Sequence, residues 1–124
     1  MFAPDVRPVW REAYRVLRPG GSLLAGFMNP VHFLFDFGAL ERGEFRVAYR
    51  IPYSNLESLA DEERARLVEQ DTPLKFGHTL ADQIGGQLAA GFVLAGLYED
   101  IDPDTILGEH IPSYLATKAV KQGR

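Results

Sequence analysis

The chain has 124 residues, a formal net charge of −4 and no cysteine. This length fits one domain with a modest core. The acidic balance disfavours nucleic-acid binding, and no apolar run reaches the roughly 18 residues that a membrane span needs. Without cysteine, disulfides, iron–sulfur clusters, zinc fingers and thiol catalysis are excluded. We expect a cytoplasmic protein, since Met1–Asp5 lacks the features of a secretory signal.

The first part of the chain predicts a helix, a tight turn and a buried strand. Pro8 suits the first turn of a helix. Apolar residues then recur at the spacing of one buried stripe: Val9, Trp10, Ala13, Val16 and Leu17. Pro19 and the pair Gly20–Gly21 end the helix. The run SLLAGF, residues 22–27, has no polar face and therefore predicts a central parallel strand that is covered on both sides.

Residues 30–77 have a different character. Apolar and polar residues alternate from Phe45 to Ile51, which predicts a strand with one exposed face that ends at Pro52. The charged stretch ESLADEERARLVEQ, residues 57–70, predicts a short surface helix capped by Ser58.

The last part of the chain predicts a helix followed by two strands. Thr79 and Asp82 form a capping-box-like start of a helix that Gly91 ends. The run FVLAGLY, residues 92–98, again predicts a strand that is apolar on both faces. After the acidic stretch EDIDPD, the run SYLATKAV, residues 113–120, predicts a final strand because it is rich in β-formers.

This order of elements resembles the C-terminal half of a class I S-adenosylmethionine-dependent methyltransferase of the bacterial type 11-like branch. REAYRVLRPGGSLLAGF resembles the helix, the LRPGG turn and the fifth strand of that fold. HTLADQIGGQLAAGFVLAGLYED resembles its last helix, AGF turn and penultimate strand, and IPSYLATKAV its closing antiparallel strand. The resemblance implies an α/β fold with a partial Rossmann-like sheet, in which residues 1–124 form a single partial domain and residues 30–77 an inserted cap.

The resemblance also implies S-adenosylmethionine as the cofactor of the complete domain. The family holds it with a glycine-rich loop after the first strand and an acidic residue at the end of the second. Such a loop works because backbone N–H groups approach a ligand closely where no side chain intervenes. The only glycine pairs here, Gly20–Gly21 and Gly85–Gly86, do not form such a loop. We therefore expect that this chain alone does not bind the cofactor and is inactive by itself.

Candidate substrate-binding residues follow the first predicted strand. Ligands of open α/β sheets bind beyond the carboxyl ends of the parallel strands, which is the place of Phe27, Met28 and Asn29. We predict that they form a wall of the acceptor pocket, with ordinary loop packing as the alternative. His32 stands among three phenylalanines in NPVHFLFDFG, residues 29–38. This stretch predicts either a grip on an apolar substrate or a buried staple for the insert.

A second group of candidates surrounds the start of the later helix. His78 is a weak candidate for a catalytic base, because imidazole titrates near neutral pH; a structural histidine is the alternative. Asp82 and Gln83 are candidate substrate ligands. Gly85 and Gly86 each cost about 1 kcal/mol against alanine inside a helix, which predicts close approach by a ligand, the insert or a neighbouring helix.

No metal site is predicted. Asp100, Asp102 and Asp104 follow the first positions of a calcium loop, but Thr105 and Ile111 stand where glycine and glutamate belong. The three histidines have no zinc-site spacing.

Two functions remain open. In the first, the complete domain transfers a methyl group to an oxygen, nitrogen or carbon of a small molecule, mainly by holding the reactants in line. This chain would supply the acceptor pocket, and a missing N-terminal half would supply the cofactor site. In the second, the chain is a non-enzymatic remnant that dimerises or binds a ligand. The edge of the SLLAGF strand predicts a homodimer or a strand-exchanged assembly, while nucleic acid and membranes are not expected as partners.

Overall fold

The computed structural model of the protein describes residues 4–55, 61–70 and 75–123. Among them, the α-helices are α1 (Arg7–Val16), α2 (Phe37–Glu41), α3 (Asp61–Glu69) and α4 (Leu80–Ala90). The strands are β1 (Ser22–Met28), β2 (Tyr53–Ser54), β3 (Phe76–Gly77), β4 (Val93–Asp100) and β5 (Tyr114–Val120). Short 3-10 helices span Pro30–Leu34 and Ile106–Glu109. Within the described ranges, no helix has the length and hydropathy to cross a bilayer.

The main sheet has three strands in the order β1–β5–β4. The last strand is antiparallel to both neighbours, since Val120 pairs with Ser22 on one side and with Val93 on the other. Consequently β1 and β4 run parallel to each other on either side of β5, and the predicted antiparallel closing strand is confirmed. A second, two-stranded sheet pairs β2 with β3.

The helices α1 and α4 lie on one face of the main sheet. On this side, Thr117 and Ala119 of β5 are fully buried. The Thr117 hydroxyl donates a hydrogen bond of 2.9 Å to Oε1 of Gln87 in α4. Trp10 of α1 is 3% exposed, and its indole N–H donates to the carbonyl oxygen of Asp82 at 3.1 Å. The core of this part of the molecule therefore lies between the helix pair and one face of the sheet.

The other face of the main sheet is exposed along much of its length, and we call it the open face. Side chains of paired residues in neighbouring strands share a face. The rows of the open face are Ser22–Val120–Val93, Leu24–Lys118–Gly96, Gly26–Ala116–Tyr98 and Met28–Tyr114–Asp100. Leu24 is 75% exposed. The prediction that SLLAGF is covered on both sides is therefore wrong for this chain, because α1 and α4 lie on the same side.

The ends of α1 match the sequence prediction, but its buried stripe is narrower. Pro8 lies in the first turn, and beyond Val16 the chain turns at Gly20 with a φ of +84°. Of the predicted stripe, Trp10 is buried whereas Val16 is 64% exposed and Val9 is exposed as well. The predicted burial is wrong for these two valines because α1 packs mainly on α4 and not directly on the sheet.

The start and end of α4 are confirmed. The Thr79 hydroxyl accepts a hydrogen bond from the backbone N–H of Asp82 at 3.1 Å. Gly91 closes the helix in the left-handed conformation, with a φ of +116°. The next residue, Phe92, is buried and meets the ring of Tyr14 edge-on, with 5.1 Å between ring centroids.

The alternating stretch from Phe45 to Ile51 does not form the predicted strand. It makes one isolated bridge, between Val47 and Phe35, and Val47 is exposed. A strand needs a partner along its length. The backbone N–H of Ala48 bonds to the carbonyl oxygen of Leu34 at 2.8 Å, but the partner segment enters the short α2 at Phe37 and offers no longer edge.

The predicted surface helix within residues 57–70 is confirmed as α3, whose described side chains are exposed. Its predicted cap, Ser58, lies outside the described residues.

Candidate functional site

The carboxyl end of β1 leads directly into a capped turn. Phe27 is buried and Met28 half-buried. Asn29 closes the strand: its backbone N–H donates to the carbonyl oxygen of Ser113 at 2.7 Å, and its side-chain oxygen accepts from the N–H of Val31 at 3.1 Å. The structure therefore places these three predicted residues together at one edge of the sheet, beside the start of β5.

His32 lies one turn further on, in the first 3-10 helix. Its ring stacks on Phe37, with 5.8 Å between centroids and 21° between planes. Burial, and then the positive charge of Lys75, lower the pKa of His32. Its Nδ1 is buried and has no hydrogen-bond partner among the described residues. The structure thus holds the neutral ring of His32, with its unpaired Nδ1, close to Asn29.

An aromatic cluster continues from His32 into the region that the sequence predicts to be an insert. Phe33 stacks on Tyr53 with ring centroids 5.3 Å apart, and Phe37 meets Tyr53 edge-on at 5.5 Å. Phe33 also rests against Gly77, where an added Cβ would lie 2.5 Å from its ring. These contacts favour the staple interpretation of the phenylalanines over the substrate-grip interpretation.

Tyr53 is the most buried member of this aromatic cluster. Its hydroxyl accepts a hydrogen bond of 2.7 Å from the side-chain amide of Asn55. Burial, with a smaller contribution from the neighbouring Tyr49, raises the pKa of Tyr53 to about 12. The hydroxyl therefore stays protonated throughout the neutral pH range.

His78 lies between β3 and α4 and is buried. Its ring is parallel to that of Phe76, with 6.4 Å between centroids. This packing fits the structural alternative, while its role as a base stays a prediction.

The two predicted ligands in the first turn of α4 have different surroundings. The Asp82 carboxylate pairs with the guanidinium of Arg7 at 2.9 Å and so contributes to packing between α1 and α4. Gln83 is buried, and its side-chain oxygen has no hydrogen-bond partner among the described residues. The hydroxyl of Ser113, just before β5, is buried and lacks a partner in the same described ranges.

The helical glycines have a packing explanation at one position. A Cβ at Gly86 would lie 2.7 Å from Cδ1 of Trp10. The close approach that the glycines predict is therefore made by the neighbouring helix. At Gly85 an added Cβ would meet nothing within 4 Å.

A groove of about 800 Å³ lies on the open face at the carboxyl ends of β1 and β4, and we call it the sheet groove. Its lining residues are Gly26, Phe27, Met28, Tyr98, Glu99, Asp100, Tyr114, Leu115 and Ala116. The Tyr114 hydroxyl donates to the Asp102 carboxylate at 3.2 Å, so the acidic stretch EDIDPD, residues 99–104, forms one end of the groove; we call it the acidic loop. Sequence reasoning missed Tyr98 and Tyr114; their place in the alternation of β4 and β5 was the signal that could have found them.

Two aspartates of the acidic loop accept hydrogen bonds from backbone groups of their own loop. The Asp100 carboxylate accepts from the N–H of Ile101, and that of Asp102 from the N–H of Asp104. No cluster of histidine, aspartate and glutamate that could hold a metal occurs in the part of the chain that the structure describes.

The described residues do not fit the glycine-rich cofactor site that the family resemblance implies. Among the described glycines, those with positive φ are Gly20, Gly43 and Gly91, and none follows the carboxyl end of a strand. At that end of β1 the chain places Asn29 and Pro30, neither of which is the glycine that a close approach to the backbone requires. No chemical step at the cofactor is therefore assigned to this chain.

One comparison by sequence links the chain to a named protein. Over 121 residues it is 46% identical to a protein of Bacillus subtilis (strain 168) named uncharacterized methyltransferase YbaJ. The match includes 98% of this chain and 47% of that protein, so the chain spans about half the length of this curated relative. No family model matches the chain.

Two solved structures share its fold. An S-adenosylmethionine-dependent methyltransferase from Mesorhizobium loti superposes with a TM-score of 0.63 at 14% identity, over 95% of this chain and 56% of that one. A Listeria monocytogenes protein named for the same class gives a TM-score of 0.59 at 18% identity, over 98% and 56%. The chain shares the fold of about half of such a methyltransferase. The family resemblance and the predicted fold class are thereby confirmed.

The predicted site residues divide into two sets by their place in this fold. The first set follows or ends β1 along the chain: Phe27, Met28, Asn29 and His32. The second set, His78, Asp82 and Gln83, lies at the start of α4, where Asp82 is engaged with α1.

Proposed function

We propose that this chain is the acceptor-binding half of an S-adenosylmethionine-dependent methyltransferase that acts on a small molecule. The observation that carries the proposal is the 46% identity that runs over nearly all of this chain but only 47% of a protein named a methyltransferase. The lack of a fitting cofactor site among the described residues agrees with a division in which other polypeptide supplies it. A cytoplasmic setting accompanies the proposal because the sequence has no cysteine.

The acceptor site of this proposal is the end of β1 with the turn that follows. Asn29 holds that turn against Ser113, and His32 presents a neutral ring beside it because its pKa is lowered. A hydroxyl or amine of the acceptor could share a hydrogen bond with the free Nδ1 of His32. The buried side-chain oxygen of Gln83 is a second group that an acceptor could satisfy.

Methyl transfer requires little covalent chemistry from the residues of such a site. The protein gains rate by holding the nucleophile in line with the methyl carbon and by excluding water. His78 stays the candidate base, and its buried, stacked position requires that the acceptor reach the short connection between β3 and α4.

The cofactor part of the proposal is tested by calorimetric titration with S-adenosylmethionine. The chain alone should give no binding heat, whereas a chimera in which it replaces the matched part of the Bacillus subtilis relative should bind at micromolar affinity. Micromolar binding by the chain alone would overturn the division of the site. A folded chimera that does not bind would overturn the assignment to this half.

The acceptor part is tested with the same chimera and a small-molecule extract of bacterial cells, by following the formation of S-adenosylhomocysteine. We expect H32Q to lower turnover at least tenfold while cofactor affinity stays within twofold. H78Q tests the candidate base in the same assay, and V16Q, on the exposed side of α1, is the matched control. Equal turnover in H32Q and V16Q would contradict the proposed acceptor site.

The alternative function is a remnant that forms homodimers. The observation that favours it is that β1 pairs on one side only, with β5, among the described strands. Two copies could join their β1 edges into a six-stranded sheet. Sedimentation that shows a well-folded monomer at micromolar concentration would contradict this alternative.

A further inference from the structure

The outward side of α4 is apolar although it faces solvent. The buried side of this helix, toward the sheet and α1, contains Gln83, Gly86 and Gln87. On the outward side, Leu80 and Leu88 are 45% and 51% exposed. We call this side the outer face of α4, and its residues are Leu80, Ala81, Ile84, Gly85, Leu88 and Ala89. A surface helix normally has polar residues outward and apolar residues inward, so this reversed pattern indicates a face that meets another apolar surface.

Gly85 lies in the middle of the outer face, and no contact within the described chain explains it. A glycine inside a helix costs about 1 kcal/mol against alanine. At Gly86 the Trp10 ring requires the space, but an added Cβ at Gly85 would meet no atom within 4 Å. The close approach that this glycine permits is therefore open to an element from outside the chain.

A ridge and a shallow groove lie side by side on the outer face. Side chains at every fourth residue of a helix form the rows that interlock when two helices pack. The ridge consists of Leu80, Ile84 and Leu88, and the groove of Ala81, Gly85 and Ala89. A second copy of α4, related by a two-fold axis, can place its ridge in this groove while its own groove receives the first ridge. The outer face is therefore complementary to itself.

The apolar surface continues beside α4 on the strand β4. This strand lies at the edge of the main sheet, where β5 is its neighbour on the other side. Leu97 pairs with Thr117, which puts its side chain on the side of the sheet that α4 covers. Leu97 is nevertheless 56% exposed. A partner that packs on the outer face of α4 would therefore also cover Leu97.

The charges of α4 favour a second copy as the occupant. The outer face has no ionisable side chain, and the one carboxylate of the helix, Asp82, is paired with Arg7 at 2.9 Å. Two copies can therefore meet without burying an unpaired charge, which is strongly destabilising. In an antiparallel pair, the N-terminus of each α4 lies toward the C-terminus of the other, and the helix dipoles favour this arrangement.

We propose that the outer face of α4 binds a second copy of this chain, with the two α4 helices antiparallel across a two-fold axis near Ile84. Leu80 of each copy then lies beside Leu88 of the other, because both are four residues from Ile84. One helix pair buries less than the about 1,600 Å² of a standard interface, so the dissociation constant should be micromolar. The dimer requires only the fold of this chain and not the proposed activity, and it leaves the β1 edge free.

Sedimentation equilibrium of the whole chain over a range of concentrations measures this dimer. L80E and L88K should each raise the dissociation constant at least tenfold. Both variants should keep the circular dichroism of the wild type, because the helix dipole favours an acid in the first turn and a cation in the last. The matched control is V16K, which also adds a lysine at an exposed apolar residue in the last turn of a helix. It should dimerise within twofold of the wild type.

An equal mixture of L80E and L88K tests the antiparallel arrangement. In a mixed dimer, the introduced carboxylate of one chain faces the introduced ammonium of the other, while two leucines meet at the opposite end. The mixture should therefore dimerise at least fivefold more tightly than either variant alone. High salt should weaken the mixed dimer more than the wild-type dimer, because it screens the new ion pair.

A wild-type chain that stays monomeric up to hundreds of micromolar would overturn the proposal and leave the outer face to a different partner. Dimers of L80E and L88K as tight as those of V16K would overturn it as well, since the contact would then lie elsewhere, such as at the β1 edge. A mixture that dimerises no better than its two components would refute the antiparallel pairing.

Discussion

At Gly86, the lack of a side chain lets the indole of Trp10 rest directly on α4. The same indole donates to the carbonyl oxygen of Asp82 one turn earlier, so one residue joins the two helices by packing and by a hydrogen bond. The sequence identified the unusual glycine pair but could not say which neighbour needs the space, because the spacing of residues within one helix does not show what packs against it.

We predict that G86A destabilises the protein by about 1–3 kcal/mol, because its Cβ would overlap the Trp10 ring. G85A is the matched control: no atom lies within 4 Å, and alanine should stabilise the helix by up to about 1 kcal/mol. Urea unfolding of both variants measures the difference. Similar changes in the two variants would show that the contact with Trp10 is not tight.

The buried pair of Thr117 and Gln87 ties the sheet to α4 by a hydrogen bond of 2.9 Å. We predict that T117V lowers the free energy of unfolding by about 1–3 kcal/mol, since it leaves the Gln87 oxygen buried without a donor. The double variant T117V/Q87L should lose less than the sum of the two single variants. Additive losses in a double-mutant cycle would contradict direct coupling.

At the scale of elements, some assignments follow from local chemistry. The helix α4 was predictable because Thr79 and Gly91 mark its two ends, and β5 because its β-formers leave little alternative. The stretch from Phe45 to Ile51 was not, since its alternation lacks a partner strand in the fold. The β1 end of the candidate site was predictable on the same basis, since an apolar strand that runs into Asn29 indicates its own carboxyl end. The sheet groove was not, because it depends on pairing between distant strands.

The aromatic cluster around Tyr53 gives a prediction about pH. An ordinary tyrosine in the unfolded chain ionises near pH 10, whereas burial raises the pKa of Tyr53 in the folded chain to about 12. Below about pH 10 both states hold the proton, and the stabilisation is fully present. Between about pH 10 and 12 the unfolded chain releases it first, so the free energy of unfolding should fall as the pH rises.

Urea unfolding at several pH values compares the wild type with Y53F, which has no ionisable group at this position. The decline above pH 10 should be shallower in Y53F, although this variant starts lower because the hydroxyl no longer accepts from Asn55. Other tyrosines with raised pKa, such as Tyr49, are common to both proteins and cancel in the comparison. Parallel curves would rule out Tyr53 as the source.

At the scale of the whole molecule, the last strand holds the main sheet together. β5 lies between β1 and β4, which do not pair with each other. Beyond its end, Lys121 bonds to the backbone of Gly21, and its ammonium donates to the carbonyl oxygens of Tyr14 and Leu17 at 2.9 and 2.8 Å. Lys121 thereby satisfies the C-terminus of α1 with a cation, as the helix dipole favours.

A chain that ends after Lys121 should therefore fold with nearly unchanged stability, whereas one that ends before Tyr114 should lose the main sheet. Circular dichroism and thermal unfolding distinguish the two. Cooperative unfolding of the shorter chain would show that β1 and β4 are organised without β5.

The general architecture was predictable from the family resemblance, because the LRPGG turn and the AGF turn stand at the positions of one known half-sheet. The one-sided burial of that sheet was not. An apolar strand such as SLLAGF predicts cover on both faces, but its composition does not show that α1 and α4 pack on the same side of the sheet.

The central place of β5 also bears on how the protein is made. During synthesis β1 leaves the ribosome well before its partner, because Ser22 pairs with Val120, which lies far later in the sequence. Until then β1 and β4 have no neighbour in the main sheet, and their apolar edges are open to chaperones or to chains on neighbouring ribosomes. Formation of this sheet consequently waits for β5 and joins residues that are distant in the sequence, and slow folding is the expected result.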